Sequence, residues 1–382
     1  MKSERLLYAL EDINDEYIEQ AAPKHKKKAN KIWIKVCAVA ACVAVTVAAG
    51  LGLFFDKEKH PPVELPVLTL GNIFEGGMSM EAHWAYSADE LISSNPWTEE
   101  KTPESLPVYK NSVYTEDGNP DYNAKQMKNI LLEYAAKLGI NMAAKDIKET
   151  VYDSFYGYYI ESGNIRIELN IWMMLNVEIS GEDVLPSGYT LDRYASFDEL
   201  KKTAEYLKKE YADFLGMSKP VADISLGDYD VYGRRNFSLS FYDGAGDAEN
   251  QIENYNFGKV HFRTDENGSL HISRSCSKDE IIGVYPIITA DEALNLLQSG
   301  NYVTSVGKEF GGKEKIKKVE LIYHNSNLSE ISVPYYRFYV EIENEGNIAE
   351  ELPGIKTYGT YYVPAVKSEY ISDMPLWNGG IN

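Results

Sequence analysis

IRIELNIWMMLNVEI, residues 165–179, decides the fold. Ile165, Ile167, Leu169, Ile171, Met173, Leu175, Val177 and Ile179 recur at every second position, with Arg166, Glu168, Asn170, Asn176 and Glu178 among the residues between them. Period two sends successive side chains to opposite faces, so the stretch reads as β-structure with one buried face and one wetter face. As a single strand it would run about 50 Å, well beyond the usual length. A bend or bulge is therefore expected near Trp172.

Working outward, the flanking sequence reads as amphipathic helix. Met127, Ile130, Leu131, Tyr134 and Leu138 share one helical face within 122–138. Ser196-Phe-Asp-Glu199 and Thr289-Ala-Asp-Glu292 have the form of capping boxes and open two further helices. Further strands are read at 260–264 and 270–274 around the turn Asp265-Glu-Asn-Gly268. Val319, Leu321 and Tyr323, then Tyr336, Phe338, Val340 and Ile342, then 358–363, read as a closing antiparallel meander. The expected fold class is α+β: a single N-terminal transmembrane helix followed by an ectodomain of amphipathic helices packed on antiparallel sheets. Five divisions are expected. Residues 1–35 form an acidic helix with a basic juxtamembrane cluster, 36–55 a membrane span, and 56–120 a proline-rich tether with one short helix. Residues 121–283 form an α+β unit and 284–382 a C-terminal α-β-β-β unit.

The span is the uncharged run VCAVAACVAVTVAAGLGLFF, residues 36–55. At about 1.5 Å per residue it matches the thickness of a bilayer's hydrocarbon core. Lys24, Lys26, Lys27, Lys28, Lys31 and Lys35 precede it, whereas Asp56-Lys57-Glu58-Lys59 follows it. This asymmetry places the N-terminus in the cytoplasm and residues 56–382 outside. Residues 24–55 are thus expected to contact membrane lipid. A cleaved signal peptide ending near Ala48-Ala49-Gly50, and a lipobox at Val39-Ala40-Ala41-Cys42, are the competing readings.

The chain carries a formal charge of −20. Residues 1–35 contribute +2 and the apolar run nothing, so residues 56–382 carry −22. Such an acidic surface argues against nucleic acid as a partner. Cys276 is the single cysteine beyond the apolar run, so no intrachain disulfide can form there. That usage suits a Gram-positive plasma membrane better than an animal secretory pathway.

Leu6, Leu10, Ile13 and Tyr17 lie on one face of an acidic leader helix. Residues 3–20 either dock this stripe on a cytoplasmic protein or serve as a solvated leader. The run LLYALEDINDEYIEQAAP, residues 6–23, followed by KHKKK, Trp33 and the Ala/Val-rich span, resembles the leader of single-pass clostridial membrane proteins, some of them similar to anti-sigma regulators. The segments ALNLLQSGNY (293–302), VELIYHN (319–325), PYYRFYVEIE (334–343) and GIKTYGTYYVPAV (354–366) resemble PepSY-like ectodomains and regulators associated with two-component systems. These resemblances imply a role in binding or regulating envelope proteins, and no catalytic residue carries over.

Several patterns approach known chemistry without completing it. Gly307-x4-Gly312-Lys313 lacks the Ser or Thr of a phosphate-binding loop, because Glu314 stands there. Ser305-Val-Gly-Lys308 fits Ser-x-x-Lys without its companion motifs. His261 and His271 could face each other across a hairpin, but two ligands do not make a zinc site. Asp243, Asp247 and Glu249 lack EF-hand spacing and read as a solvated acidic turn or a weak calcium site. No cofactor or metal set is read, and no catalytic residue is assigned. Twenty-nine tyrosines are the more unusual feature. Alternate tyrosines on an outer sheet face, here Tyr336, Tyr358 and Tyr362, would give rigid contact area for an extracytoplasmic protein or ligand. The expected function is a non-enzymatic, membrane-anchored regulator or sensor. An anchored envelope assembly module and a surface hydrolase are the alternatives.

Overall fold

The computed structural model describes residues 65–71, 82–115, 120–152, 155–181, 184–230, 232–277, 279–324, 329–344 and 352–380. The apolar run at 36–55 and the leader residues Leu6, Leu10, Ile13 and Tyr17 lie outside them. In chain order the strands are β1 (Ala82–Ala85), β2 (Ser105–Lys110), β3 (Lys148–Tyr152), β4 (Phe155–Ser162), β5 (Ile165–Asn170), β6 (Met174–Ile179), β7 (Pro220–Tyr229), β8 (Arg235–Asp243), β9 (Val260–Thr264), β10 (Leu270–Ser275), β11 (Glu280–Pro286), β12 (Val303–Thr304), β13 (Ile316–His324), β14 (Ile331–Ile342) and β15 (Lys356–Pro364). The α-helices are α1 (Ala124–Lys137), α2 (Phe197–Glu210), α3 (Ala212–Leu215), α4 (Ala248–Phe257) and α5 (Ala290–Gln298).

Two antiparallel sheets dominate. The larger has eight strands in the order β3-β4-β5-β6-β10-β9-β8-β7. The other has seven, with β1-β15-β14-β2-β11 as its path, β12 on β15 and β13 on β14. Sheet, not helix, therefore sets the architecture, which corrects the α+β expectation. Among the described residues no helix is long and apolar enough to cross a membrane.

The deciding stretch is a hairpin rather than one bent strand. β5 and β6 pair with Ile165 opposite Ile179, Ile167 opposite Val177 and Leu169 opposite Leu175. Directly opposed residues share a face, so the alternation runs through the reversal unbroken. The chain turns at Ile171–Trp172. Asn170 holds the corner, its backbone carbonyl accepting from Met173 N and its side chain from Met174 N. Met173 takes φ 57 there, the one positive φ at a described residue other than glycine.

The helices follow local rules. Ser196 and Glu199 complete a capping box on α2, as Thr289 and Glu292 do on α5. Leu131 of α1, with Leu200 and Leu207 of α2, packs on Ile167, Leu169, Phe241 and Phe262 of the larger sheet. Ala293 and Leu297 of α5 cover one face of the other sheet, over Tyr336, Phe338 and Tyr361. Leu68, Leu70 and Ile371 cover its opposite face, over Ile322, Tyr335 and Tyr362.

Residues 65–110 are no tether where they are described. Leu68 forms a parallel bridge with Ile371. β1 pairs β15, and β2 sits between β14 and β11. Of the prolines that suggest a linker, Pro107 lies inside β2 opposite Val284, and its carbonyl accepts from Tyr323 OH at 2.8 Å.

Candidate functional site

An ionic cleft of about 360 Å³ lies where β7 of one sheet approaches β13 and β14 of the other. The strand register builds one wall. Glu320 of β13 stands opposite Arg337 of β14, and Lys318 stands opposite Tyr339. These four side chains share a face, next to the apolar set of Ile322, Tyr335 and Tyr362. The other wall carries Asp223 of β7, Tyr255 of α4, and Lys259 just before β9.

Segment 91–95 crosses between the walls and ties them together. Ile92 bridges Leu226 of β7. Ser94 N donates to Asp223 Oδ1 at 2.6 Å, and Ser94 Oγ donates to Ala222 O at 3.1 Å. Tyr242 OH donates to Ser94 O at 2.9 Å. Toward the other sheet, Ser93 Oγ donates to Glu320 Oε1, and Asn95 Nδ2 donates to Leu321 O at 3.2 Å. Lys318 Nζ reaches Leu91 O and Ser93 Oγ, each at 2.9 Å.

Glu320 is only 2% exposed. Arg337 Nη2 lies 2.5 Å from its Oε2 and Lys318 Nζ 2.7 Å from its Oε1, while Tyr339 OH donates to Oε2 at 3.1 Å. Burial alone would raise its pKa. Arg337 and Lys318, with hydrogen bonds from Lys318 and Ser93, outweigh burial and hold it at about 2. Lys259 Nζ pairs with Asp223 Oδ2 at 2.8 Å and sits 3.4 Å from the Tyr255 ring centre. Burial lowers the Lys259 pKa, with Asp223 opposing. His83 Nδ1 and Asp228 Oδ2 lie 3.9 Å apart at the rim.

Both buried carboxylates thus receive donors from the protein on each oxygen. A general acid or base needs a proton it can exchange near neutral pH, and Glu320 is locked as an anion. The arrangement is suited to joining two sheets and presenting a polar cleft.

The tyrosines expected to face a partner are instead core residues. Tyr336 is fully buried and donates to Ile288 O at 2.8 Å. Tyr362 is buried beneath Leu68 and Ile371. Tyr358 packs with Ala85, Leu91 and Tyr339. The closing sheet is covered on both faces, so neither parity of its tyrosines reaches solvent. The near-miss motifs resolve as structure too. Ser305 is buried, with its Oγ 3.2 Å from Thr360 Oγ1. Residues 307–312 form a loop, and a 3-10 turn at Lys313–Lys315 leads from it into β13. His261 stands opposite Ser273 and His271 opposite Arg263, so the two histidines do not face each other. Asp243 accepts from the backbone N–H groups of Ser218, Lys219 and Ala245, and Asp247 caps α4.

Sequence reading missed the ionic wall. Its signal was present: Glu320 and Arg337 each interrupt an apolar strand, as few charged residues do inside a sheet unless paired. No protein-family model matches this chain, and no curated protein is significantly similar to it.

Proposed function

We propose that this chain is a non-enzymatic regulator or sensor at the plasma membrane, anchored through residues 36–55 with its N-terminus inside. Its sheet-rich outer part binds an envelope partner or ligand. The apolar run, its basic flank and the acidic remainder support the placement. One observation carries the choice of binding over catalysis: the charged side chains converging on the inter-sheet cleft neutralise one another. A hydrolase would keep a buried carboxylate unpaired for its substrate, and both carboxylates here are paired.

Protease added to intact cells expressing the full chain should digest residues 65–382 and leave the leader protected. Release of the chain into the soluble fraction by an alkaline wash would overturn the anchored reading. Replacing residues 1–31 with an unrelated basic leader separates the two roles of the leader. Loss of the cellular response is expected from a transmitting helix, and an unchanged response would reduce the leader to an anchor.

A further inference from the structure

A second concavity, of about 700 Å³, opens where β8 and β9 part. Their ladder holds from Phe241 opposite Val260 to Leu239 opposite Phe262 and stops there. Arg235 to Ser238 and Arg263 to Thr264 run on beyond it, so the strands form a wedge. Four of the chain's eight arginines line this wedge: Arg193, Arg234, Arg235 and Arg263. That concentration stands out in a chain of charge −20.

The arginines are unequally occupied. Arg234 pairs with Asp230 at 2.6 Å. Arg235 donates to a neutral acceptor, Ala195 O, at 2.9 Å. Arg193 and Arg263 are exposed and form no ion pair among the described residues. The nearby carboxylates are largely engaged by their own turns. Asp192 accepts from Tyr194 N, and Asp230 from Tyr232 N and Arg234 N. Asp265 accepts from Asn267 N and Ser269 N and lies 3.1 Å from His271 Nε2. Glu266 is exposed at the hairpin tip. The lining therefore carries four carboxylates beside its four arginines, and Arg193 and Arg263 are cations among them with no ion pair among the described residues.

Beside the wedge, the two Asp-anchored turns present Tyr194 and Tyr232, 76% and 77% exposed. Arg234 lies 4.7 Å from the Tyr232 ring centre. Exposed rings offer flat apolar platforms, and guanidinium groups offer forked donors to carboxylate or phosphate. A ligand using both carries rings and negative charge along one chain.

We propose that this wedge binds an anionic sugar polymer, its acid groups on Arg193, Arg235 and Arg263 and its rings against Tyr194 and Tyr232. The inference rests on the outer part being a binding module and names the chemistry it receives.

Calorimetric titration of the purified full chain tests it with three probes. Oligogalacturonate supplies rings and charge, poly(glycerol phosphate) charge without rings, and maltooligosaccharide rings without charge. Oligogalacturonate should bind at least about tenfold more tightly than either other probe. Arg193→Gln with Arg263→Gln, and Tyr194→Ala with Tyr232→Ala, should each weaken it by about tenfold or more. Lys145→Gln with Lys209→Gln, which removes equal charge from exposed sites outside the wedge, should change it less than about twofold. Absence of oligogalacturonate binding, or equal binding of either partial probe, overturns the proposal. So does an unchanged affinity in either wedge variant. Such a failure with the membrane orientation intact removes this site alone, whereas release into the soluble fraction removes the anchored reading whatever the sugar result.

Discussion

Glu320 shows how a single buried residue can anchor the segment that ties two sheets together. Its carboxylate is buried, accepts from two cations and two hydroxyls, and has a pKa held at about 2 against an ordinary 4.5. The folded value lies below the unfolded one, so its stabilising contribution is complete above about pH 4.5 and is lost as pH falls through about 2. That gap corresponds to about 3 kcal/mol. Glu320→Gln leaves Arg337 and Lys318 beside a neutral amide in a buried place, at a cost of about 3–5 kcal/mol near neutral pH. Urea unfolding at about pH 7 and again at about pH 3 checks both magnitude and sign. The stability difference between wild type and variant should shrink at the lower pH. A difference independent of pH would show that the charge of Glu320 contributes nothing. The same residue marks a limit of sequence reading. The alternation of Val319, Leu321 and Tyr323 was legible, but the partner of the intervening Glu320 depends on register with β14, which alternation does not fix.

At the scale of elements, the crossing segment depends on a glycine. Gly227 has φ +93, and a Cβ there would lie 1.9 Å from Glu90 O. The position lies within a register shift in β7, between Ser225 and Asp228, where Leu226 bridges Ile92. Gly227→Ala combines left-handed strain with a backbone clash, so it should lower stability by about 2 kcal/mol or more. It should also speed hydrogen exchange at Leu226 N, which donates to Ile92 O at 3.3 Å. Unchanged exchange there would mean that the crossing segment docks independently of this glycine. Helices with local signals were the most legible elements, since the capping boxes at Ser196 and Thr289 are written within four residues. α4 was not, because Asp247 read as part of an acidic turn or a weak calcium site and only Ile252 and Tyr255 mark its buried face. The hairpin of β5 and β6 was legible as strand but not as a reversal. Odd residues paired with odd residues keep one face apolar whether the chain turns or continues.

At the scale of the molecule, the sequence suggested separable parts, whereas the described chain from Leu65 onward forms one compact unit. Residues 65–110 explain why. β1 extends the edge at β15, β2 joins β14 to β11, and Ser93 and Ser94 carry hydrogen bonds from one sheet to the other. Leu68 and Leu70 bury Tyr362 and Ile322. Composition could not reveal this, because prolines and short polar runs mark edge strands and turns as readily as linkers. The consequence is testable by truncation. A chain starting at residue 121 keeps the whole eight-stranded sheet and most of the other, and a tether would be dispensable. Instead, that chain loses β2 from between two strands, exposes the apolar face beneath Leu68, and leaves Asp223 and Glu320 without their serine donors. Calorimetry of residues 65–382 should show one cooperative transition, with van't Hoff and calorimetric enthalpies equal. Residues 121–382 should show none, with exposed apolar surface and unpaired strand edges driving aggregation. A truncated chain that melts cooperatively near the temperature of the longer one would restore the tether reading and confine the crossing segment to a local role.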